Sequence, residues 1–370
     1  MARSSVSRRV RMGIVACTIC ICFAFYHLYT SLPATANLHV SRLTRDDVHT
    51  LATHAIDNTV VVVPVNTGML HLAENLLCSL SATSFNTSAI VFWSLDEGAQ
   101  RILAGRGHAT YRDASLFSAS GDENARGATA AYRRMMRQRP LFFRDVLSLG
   151  FDVLMIDADL VFWQSPLAIV PARGGDPADR DGVDAVYSTD ARDFYTDRDA
   201  FADAGRRGAL VPPICNGLFW MKGGRATAAL WSEVLAVFEA PWWRAGLYRH
   251  FWFQDDQRGV DVLLNDGRAR LVAPLPRGIT PDMVPNRRRG DDGRARLGVR
   301  LLDQAQAVNG QLFMFREASY RDNLARLRAE GGDRISAHMN WNTHLISKTD
   351  GAKKKGIYFL DDDGNCKYAH

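Results

Sequence analysis

Two carboxylates, Asp157 and Asp159, interrupt an otherwise apolar stretch, GFDVLMIDADLVFW at residues 150–163. Acids so close repel one another, and burying them is costly unless a cation or hydrogen-bond donors offset the charge. A divalent metal is one such cation. An exposed turn or a local pairing of Asp with Arg would serve as well, and the spacing alone leaves these readings open. If FDVLMI forms a strand, both acids fall just past its carboxyl end, and LVFW is the chain returning to the core.

Two chemistries use acids placed this way. A metal held by Asp-x-Asp can bridge the diphosphate of a nucleotide sugar and stabilise the charge that develops as the nucleotide departs. Alternatively, Asp157, Asp159 and Val161 resemble the opening motif of haloacid-dehalogenase-like phosphatases, in which the first Asp is the nucleophile, and GDD at 290–292 superficially suits that family. That motif normally closes the first strand of its domain, whereas two strands precede it here, and NRRRGDDGRAR is too polar for a strand end. The phosphatase is therefore the runner-up.

A second acidic cluster lies in FWFQDDQRGVDVLLND, where Asp255, Asp256 and Gln257 precede Val260, Leu263 and Leu264 at helical spacing. Acids at a helix start suit the positive end of its dipole, so capping competes with a catalytic reading. His338, in ISAHMNW, is a lone imidazole in an apolar strand, a pattern more often of a hydrogen-bonded core residue than of a ligand. Trp242, Trp243 and Trp252, within PWWRAGLYRHFWFQ, offer flat faces to a sugar acceptor, although large aromatics usually bury themselves in a core. Arg287 to Arg289 and Lys353 to Lys355 read as solvated loop charges.

The elements that must position these residues follow from periodicity. NTVVVVPV is a buried strand, and GMLHLAENLLCSL places Met69, Leu72, Leu76, Leu77 and Leu80 on one helical face. SAIVFWSLD is the next strand, PLFFRDVLSLG is a helix with Pro140 near its start and Gly150 past its end, and the acid-bearing strand follows. This alternation argues for an α/β fold with a mostly parallel sheet and helices on both faces. Ligands bind such sheets beyond the carboxyl ends of the strands, which is where Asp157 and Asp159 fall.

The 370 residues, 47% hydrophobic, can bury a substantial core. Of the net charge of +5, four positives come from Arg3, Arg8, Arg9 and Arg11, so nothing reads as a nucleic-acid surface. Those arginines precede the uncharged run at 12–29, long enough to span a bilayer, and a basic flank on this side predicts a cytoplasmic tail at 1–11 with the body translocated. PATA at 33–36 resembles a cleavage site, but the run exceeds the usual core of a cleavable signal and is read as a membrane anchor. Residues 30–57 read as a stem and 58–370 as a lumenal domain. Three cysteines are in the anchor, so at most one disulfide can form among Cys78, Cys215 and Cys366, and Asn86 begins an NTS glycosylation acceptor.

The chain resembles nucleotide-diphospho-sugar transferases of the rhamnogalacturonan xylosyltransferase-like type over roughly residues 58–350. RPLFFRDVLSLGFDVLMIDADLVFWQSP, CNGLFWMK at 215–222, DDQ at 255–257 and HMNWNTHLISK are similar to family motifs and occur in the family's order. The resemblance implies a GT-A fold, retention of configuration, and a Golgi-type enzyme that transfers a sugar from a UDP-linked donor to a glycan or glycoprotein. It places Asp157 and Asp159 at the metal and nucleotide, His338 as the late metal ligand, Lys348 and Arg139 at the donor, and Asp256 and Gln257 at the anomeric carbon. Asp256 is then the better nucleophile and Gln257 the better positioning group. Cys215 and Gly217 join the tryptophans as acceptor-side candidates. Oxygen-rich ligation with one imidazole suits manganese, with magnesium as a substitute. Arg139 stands where the family usually has Lys, and His344 where Gly is expected. A catalytically silent, sugar-binding relative is the other reading; its mark would be loss of Asp157, Asp159 or Asp256, and all three are present.

Overall fold

The computed structural model describes residues 18–20, 42–113, 130–171, 182–197, 213–239, 255–279, 296–340 and 347–367. Residues 1–41 and Arg42–His370 are separate compact units, and of the first only the helical residues 18–20 are described. Among the described residues no helix is long and apolar enough to cross a membrane, and most of the run at 12–29 lies outside them.

The end of the stretch expected to be a stem is instead folded into the body. Helix α1 (Arg45–His54) opens with a capping box between Thr44 and Asp47, and its Leu51 is fully buried against the sheet. The Arg42 main-chain N–H donates to Asp145 Oδ2 at 3.0 Å. Leu51, with the flanking Leu43 and Ala55 packed on the same core, and a good cap dock this otherwise charge-rich helix.

Strand β1 (Thr59–Val65), helix α2 (Leu70–Ser81), β2 (Ile90–Ser94), helix α3 (Glu97–Gly105) and β3 (Ala109–Tyr111) follow. Helix α4 runs from Ala130 to Ser148 with Pro140 inside it, so it starts well before the proline, contrary to the sequence expectation. The stretch before Pro140 is rich in good helix formers, which carries the helix through a residue that lacks an N–H. Its stop is as expected: Gly150 adopts φ +89°. Strands β4 (Asp152–Ile156), β5 (Leu160–Phe162), β6 (Ala185–Thr189) and β7 (Ile214–Met221) come next, then helices α5 (Arg225–Glu239) and α6 (Asp256–Leu263). The chain closes with β8 (Ala269–Leu271), β9 (Leu297–Leu301), β10 (Ala307–Val308), helices α7 (Gly310–Phe315) and α8 (Glu317–Ala329), β11 (Ser336–His338) and α9 (Lys348–Lys354).

Eight strands form one sheet in the order β3-β2-β1-β4-β7-β6-β9-β8. Among the described strands only β7, antiparallel to both β4 and β6, is reversed. Alternate residues of β1 enter opposite cores: Val60 and Val62 pack with Phe143, Trp231 and Val260, while Val61 and Val63 pack with Leu76, Leu80 and Leu160. Both faces are therefore covered, as a mixed α/β fold requires. On α2, Leu72, Leu76 and Leu80 are buried as expected and Leu77 only partly so, as is Met69 just before the helix. The far side of α2 holds the C-terminal segment: Asn75 bonds the main chain of Ile357 and Phe359, and Cys78 is joined to Cys366 by a disulfide, leaving Cys215 as a buried thiol. Asn86 is exposed.

A smaller sheet, β10-β11-β5, lies beyond the end of β4. Here LVFW does return to the core, and the pairing of His338 with Leu160 across β11 and β5 brings the late histidine beside the Asp-x-Asp.

Candidate active site

Asp157 and Asp159 leave the carboxyl end of β4 as the chain crosses from the large sheet to the small one. The Asp157 N–H donates to the Gly217 carbonyl at 2.7 Å, and the Met339 N–H to the Asp159 carbonyl at 3.1 Å, so neighbouring strands fix both main chains. Ligand atoms of Asp157, Asp159 and His338 all lie within 4.8 Å of one another. His338 Nε2 is 3.1 Å from Asp159 Oδ1 and 3.6 Å from Asp157 Oδ2, and its Nδ1 faces Cys215 Sγ at 3.4 Å. The core reading of the lone histidine is half right: it is buried, but among acids.

The cost of a buried Asp159 beside a half-buried Asp157 is met by cations. Lys348 Nζ donates to Asp159 Oδ2 at 2.6 Å, and Arg139 Nη1 stands 3.6 Å from Asp157 Oδ1. Burial pushes the Asp159 carboxyl up, but Lys348 and His338 outweigh it and hold the group well below the usual carboxylate range. Burial works against charge on His338, and Asp159 outweighs that in turn, raising the imidazole well above its ordinary value.

Gly217 explains the small residue in CNGLFWMK. A Cβ there would collide with the His338 ring and come within 2.6 Å of Asp157 Oδ2, so the glycine is what lets the imidazole and the Asp157 carboxylate approach the strand. Two carboxylates and an imidazole whose ligand atoms converge in this way are a donor set that suits a divalent cation. Cys215 and Gly217 thus stand beside this cluster.

The second acidic group is built on the start of α6. Asp255 is its cap, accepting from the Arg258 N–H at 2.7 Å, which leaves Asp256 and Gln257 for other work. Asp256 is 1% exposed, meets Arg139 Nε at 3.2 Å and accepts from Asn216 Nδ2 at 2.9 Å. Burial raises its carboxyl to about 6 against the opposing pull of Arg139. Gln257 Oε1 accepts from the Asn216 N–H at 3.1 Å, and its Nε2 donates to Asp190 Oδ2 at 3.0 Å. Arg139, buried on α4, also donates to the Asn216 carbonyl at 2.6 Å, and so ties the two acidic groups together.

Three participants were not foreseen: Asn216, Asn340 and Asp190. Asn340 donates to Asp190 Oδ1 at 2.8 Å, so Asp190 joins the residue two beyond His338 to Gln257. Asn216 and Asn340 lie within quoted motifs, whereas Asp190 has no local signal. Trp242, Trp243, Trp252, His344 and Arg287 to Arg289 lie outside the described residues. Lys353 and Lys354 are exposed but end helix α9 and are not in a loop, and Lys355, its side chain only 15% exposed, pairs with Glu317 at 2.9 Å.

Among solved structures, the fold is similar to mouse xyloside xylosyltransferase 1 in its apo form (14% identity, 77% of this chain and 99% of that one, TM-score 0.44). It is also similar to the glycosyltransferase GlyE of Streptococcus pneumoniae TIGR4 (12%, 82% and 61%, TM-score 0.42) and to the galactosyltransferase LgtC in complex with donor and acceptor sugar analogs (12%, 82% and 98%, TM-score 0.40). Likenesses this distant carry no weight for function. No curated protein matches in sequence. The sequence profile of the nucleotide-diphospho-sugar transferases, in contrast, matches residues 86–350, a span that contains both acidic groups, His338 and Lys348. The chain belongs to the nucleotide-diphospho-sugar transferase family.

Proposed function

We propose that this chain is a metal-dependent, retaining glycosyltransferase that moves a pentose or hexose from a UDP-linked donor to a glycan or glycoprotein, anchored through residues 12–29 with its body in the Golgi lumen. The observation that carries the reading is the meeting of Asp157, Asp159 and His338 beyond β4, at a strand end where α/β sheets bind ligands. These three residues would hold Mn2+ or Mg2+, which supplies charge neutralisation for the departing nucleotide diphosphate.

The remaining work falls to the protein. Lys348 and Arg139 bring positive charge to the donor side of the cluster. Asp256, held by Arg139 and Asn216, faces the anomeric carbon, and Gln257, fixed by Asn216 and Asp190, positions the sugar. On a covalent route the Asp256 carboxylate attacks that carbon as its bond to the diphosphate breaks, and an acceptor hydroxyl then displaces Asp256 and gives up its proton to the departed diphosphate, so two inversions give retention. Same-face attack would need Asp256 only as an electrostatic partner.

The test is donor hydrolysis by the purified full chain across UDP-pentoses and UDP-hexoses, with and without Mn2+. Metal-dependent UDP release from one or a few donors is expected. Phosphate release from a monoester, with no UDP from any donor, would favour the phosphatase; UDP binding without turnover would favour a silent sugar-binding relative.

A further inference from the structure

Both oxygens of the Asp159 carboxylate are already engaged. Oδ2 accepts from Lys348 Nζ at 2.6 Å, and Oδ1 faces His338 Nε2 at 3.1 Å. The carboxylate is buried, with its residue 5% exposed. A divalent cation that takes Asp159 as a ligand therefore meets a cation in place. The imidazole can remain, because the nitrogen facing Asp159 is itself a ligand atom once deprotonated. The ammonium is no ligand, having no lone pair, and while it stays on Oδ2 its charge opposes the metal across the shared carboxylate.

Lys348 is suited to leave. It is a compact charge on a flexible stem, whereas an arginine would grip both carboxylate oxygens in a fixed fork. The helix that bears it stays anchored: Ser347 caps α9 by accepting from the Asp350 N–H at 3.0 Å, and Thr349 Oγ1 lies 3.0 Å from His71 Nε2 on α2. The side chain can move without the backbone.

We propose that Lys348 is the resident counter-ion of Asp159 and couples the two ligands of the site: it competes with the metal until a nucleotide diphosphate offers it other oxygens. Metal and nucleotide then each bind more tightly in the presence of the other, by the same factor, as linkage requires. This rests on the reading that the cluster takes a divalent cation and a nucleotide diphosphate.

The experiment is Mn2+ binding by the full chain, followed by the electron paramagnetic resonance of free Mn2+, alone and with UDP or uridine. In the parent, UDP should tighten Mn2+ by about 5- to 150-fold, the usual range for coupled sites, and uridine, lacking the diphosphate, should not. Lys348→Met should bind Mn2+ without nucleotide roughly 10-fold more tightly than the parent, with a smaller UDP gain than the parent shows. Lys348→Arg, which keeps the charge, should bind Mn2+ alone no better than the parent. If the parent binds Mn2+ and UDP but Lys348→Met binds Mn2+ alone no more tightly, or if uridine tightens Mn2+ as UDP does, the coupling role is overturned and the site reading stands. If the parent binds neither Mn2+ nor UDP, the site reading fails and the coupling role with it.

Discussion

Arg139 and Asp256 form a buried ion pair, with Nε 3.2 Å from Oδ2 and side chains 7% and 2% exposed. The same guanidinium reaches Asp157 at 3.6 Å, so one cation serves both acidic groups of the site. A lysine has one point charge and no fork, and could not keep both contacts together with the Asn216 carbonyl. Removing the cation leaves a buried acid uncompensated. Arg139→Met should cost about 3–5 kcal/mol of stability, read by urea denaturation at neutral pH. Arg139→Lys should cost less stability but still lower turnover.

The raised carboxyl of Asp256 sets a pH dependence. A group that must be ionised to act, with its value raised to about 6 by burial, predicts turnover that falls as pH drops through about 6. Because Arg139 opposes that rise, the acid limb should move to higher pH in Arg139→Lys if the lysine fails to reach Asp256. A pH profile of kcat/KM, which reports the groups of the free enzyme, measures both.

Asp261 predicts a stability effect of a different origin. It accepts from the Ile214 N–H at 3.0 Å and so pins α6 to β7, and burial raises its carboxyl to about 8. Between the ordinary carboxylate value and about 8, the folded protein holds a proton that the unfolded chain has released. Its contribution is therefore greatest below that window and is lost as pH rises through it. Asp261→Asn keeps an acceptor for Ile214 and removes the titration. The parent should lose on the order of 2–5 kcal/mol between pH 4 and 8 that the variant retains, apart from other groups, measured as the difference between their urea midpoints.

Gly217 has a steric role that a single methyl should expose. Gly217→Ala would press the Asp157 carboxylate and the His338 ring apart, while alanine fits an extended backbone without strain. Turnover should fall about 100-fold or more, as for misplaced reacting groups. Mn2+ affinity should fall with it, and thermal unfolding should show the sheet intact.

Much of this was legible in the chain. The apolar runs marked β1, β2 and β4, and the abrupt polarity at Asp157 placed the acids past a strand end. The direction of β7 was not legible, because a strand buried on both faces reads alike whichever way it runs. Asp190 was missed because its partners, Gln257 and Asn340, are 67 and 150 residues away, and a long-range contact leaves no local pattern. Capping and chemistry were indistinguishable in DDQ; in the structure Asp255 is the cap, and Asp256 and Gln257 turn to Arg139, Asn216 and Asp190 instead.

The site residue most exposed to a simple metal test is Asp159. Asp159→Asn keeps the size and removes a charge the cation needs, so activity should fall steeply and the metal-dependent gain in nucleotide affinity should shrink. His338→Ala should weaken metal binding less, because water can replace one neutral ligand. A variant Asp159→Asn that binds Mn2+ and UDP as the parent does would remove Asp159 from the ligand set.

The central claim is a division of labour: Asp157 serves the metal and nucleotide, and Asp256 serves the reacting carbon. Calorimetric UDP titration of Asp157→Asn and Asp256→Asn with Mn2+, beside a turnover assay, tests it most directly, with thermal unfolding confirming that both fold. Asp256→Asn should bind UDP nearly as the parent does while losing turnover, and Asp157→Asn should lose UDP affinity itself. Normal turnover by Asp256→Asn would contradict the assigned reaction centre, and a phosphorylated Asp157 trapped from a phosphomonoester would contradict the transferase reading altogether.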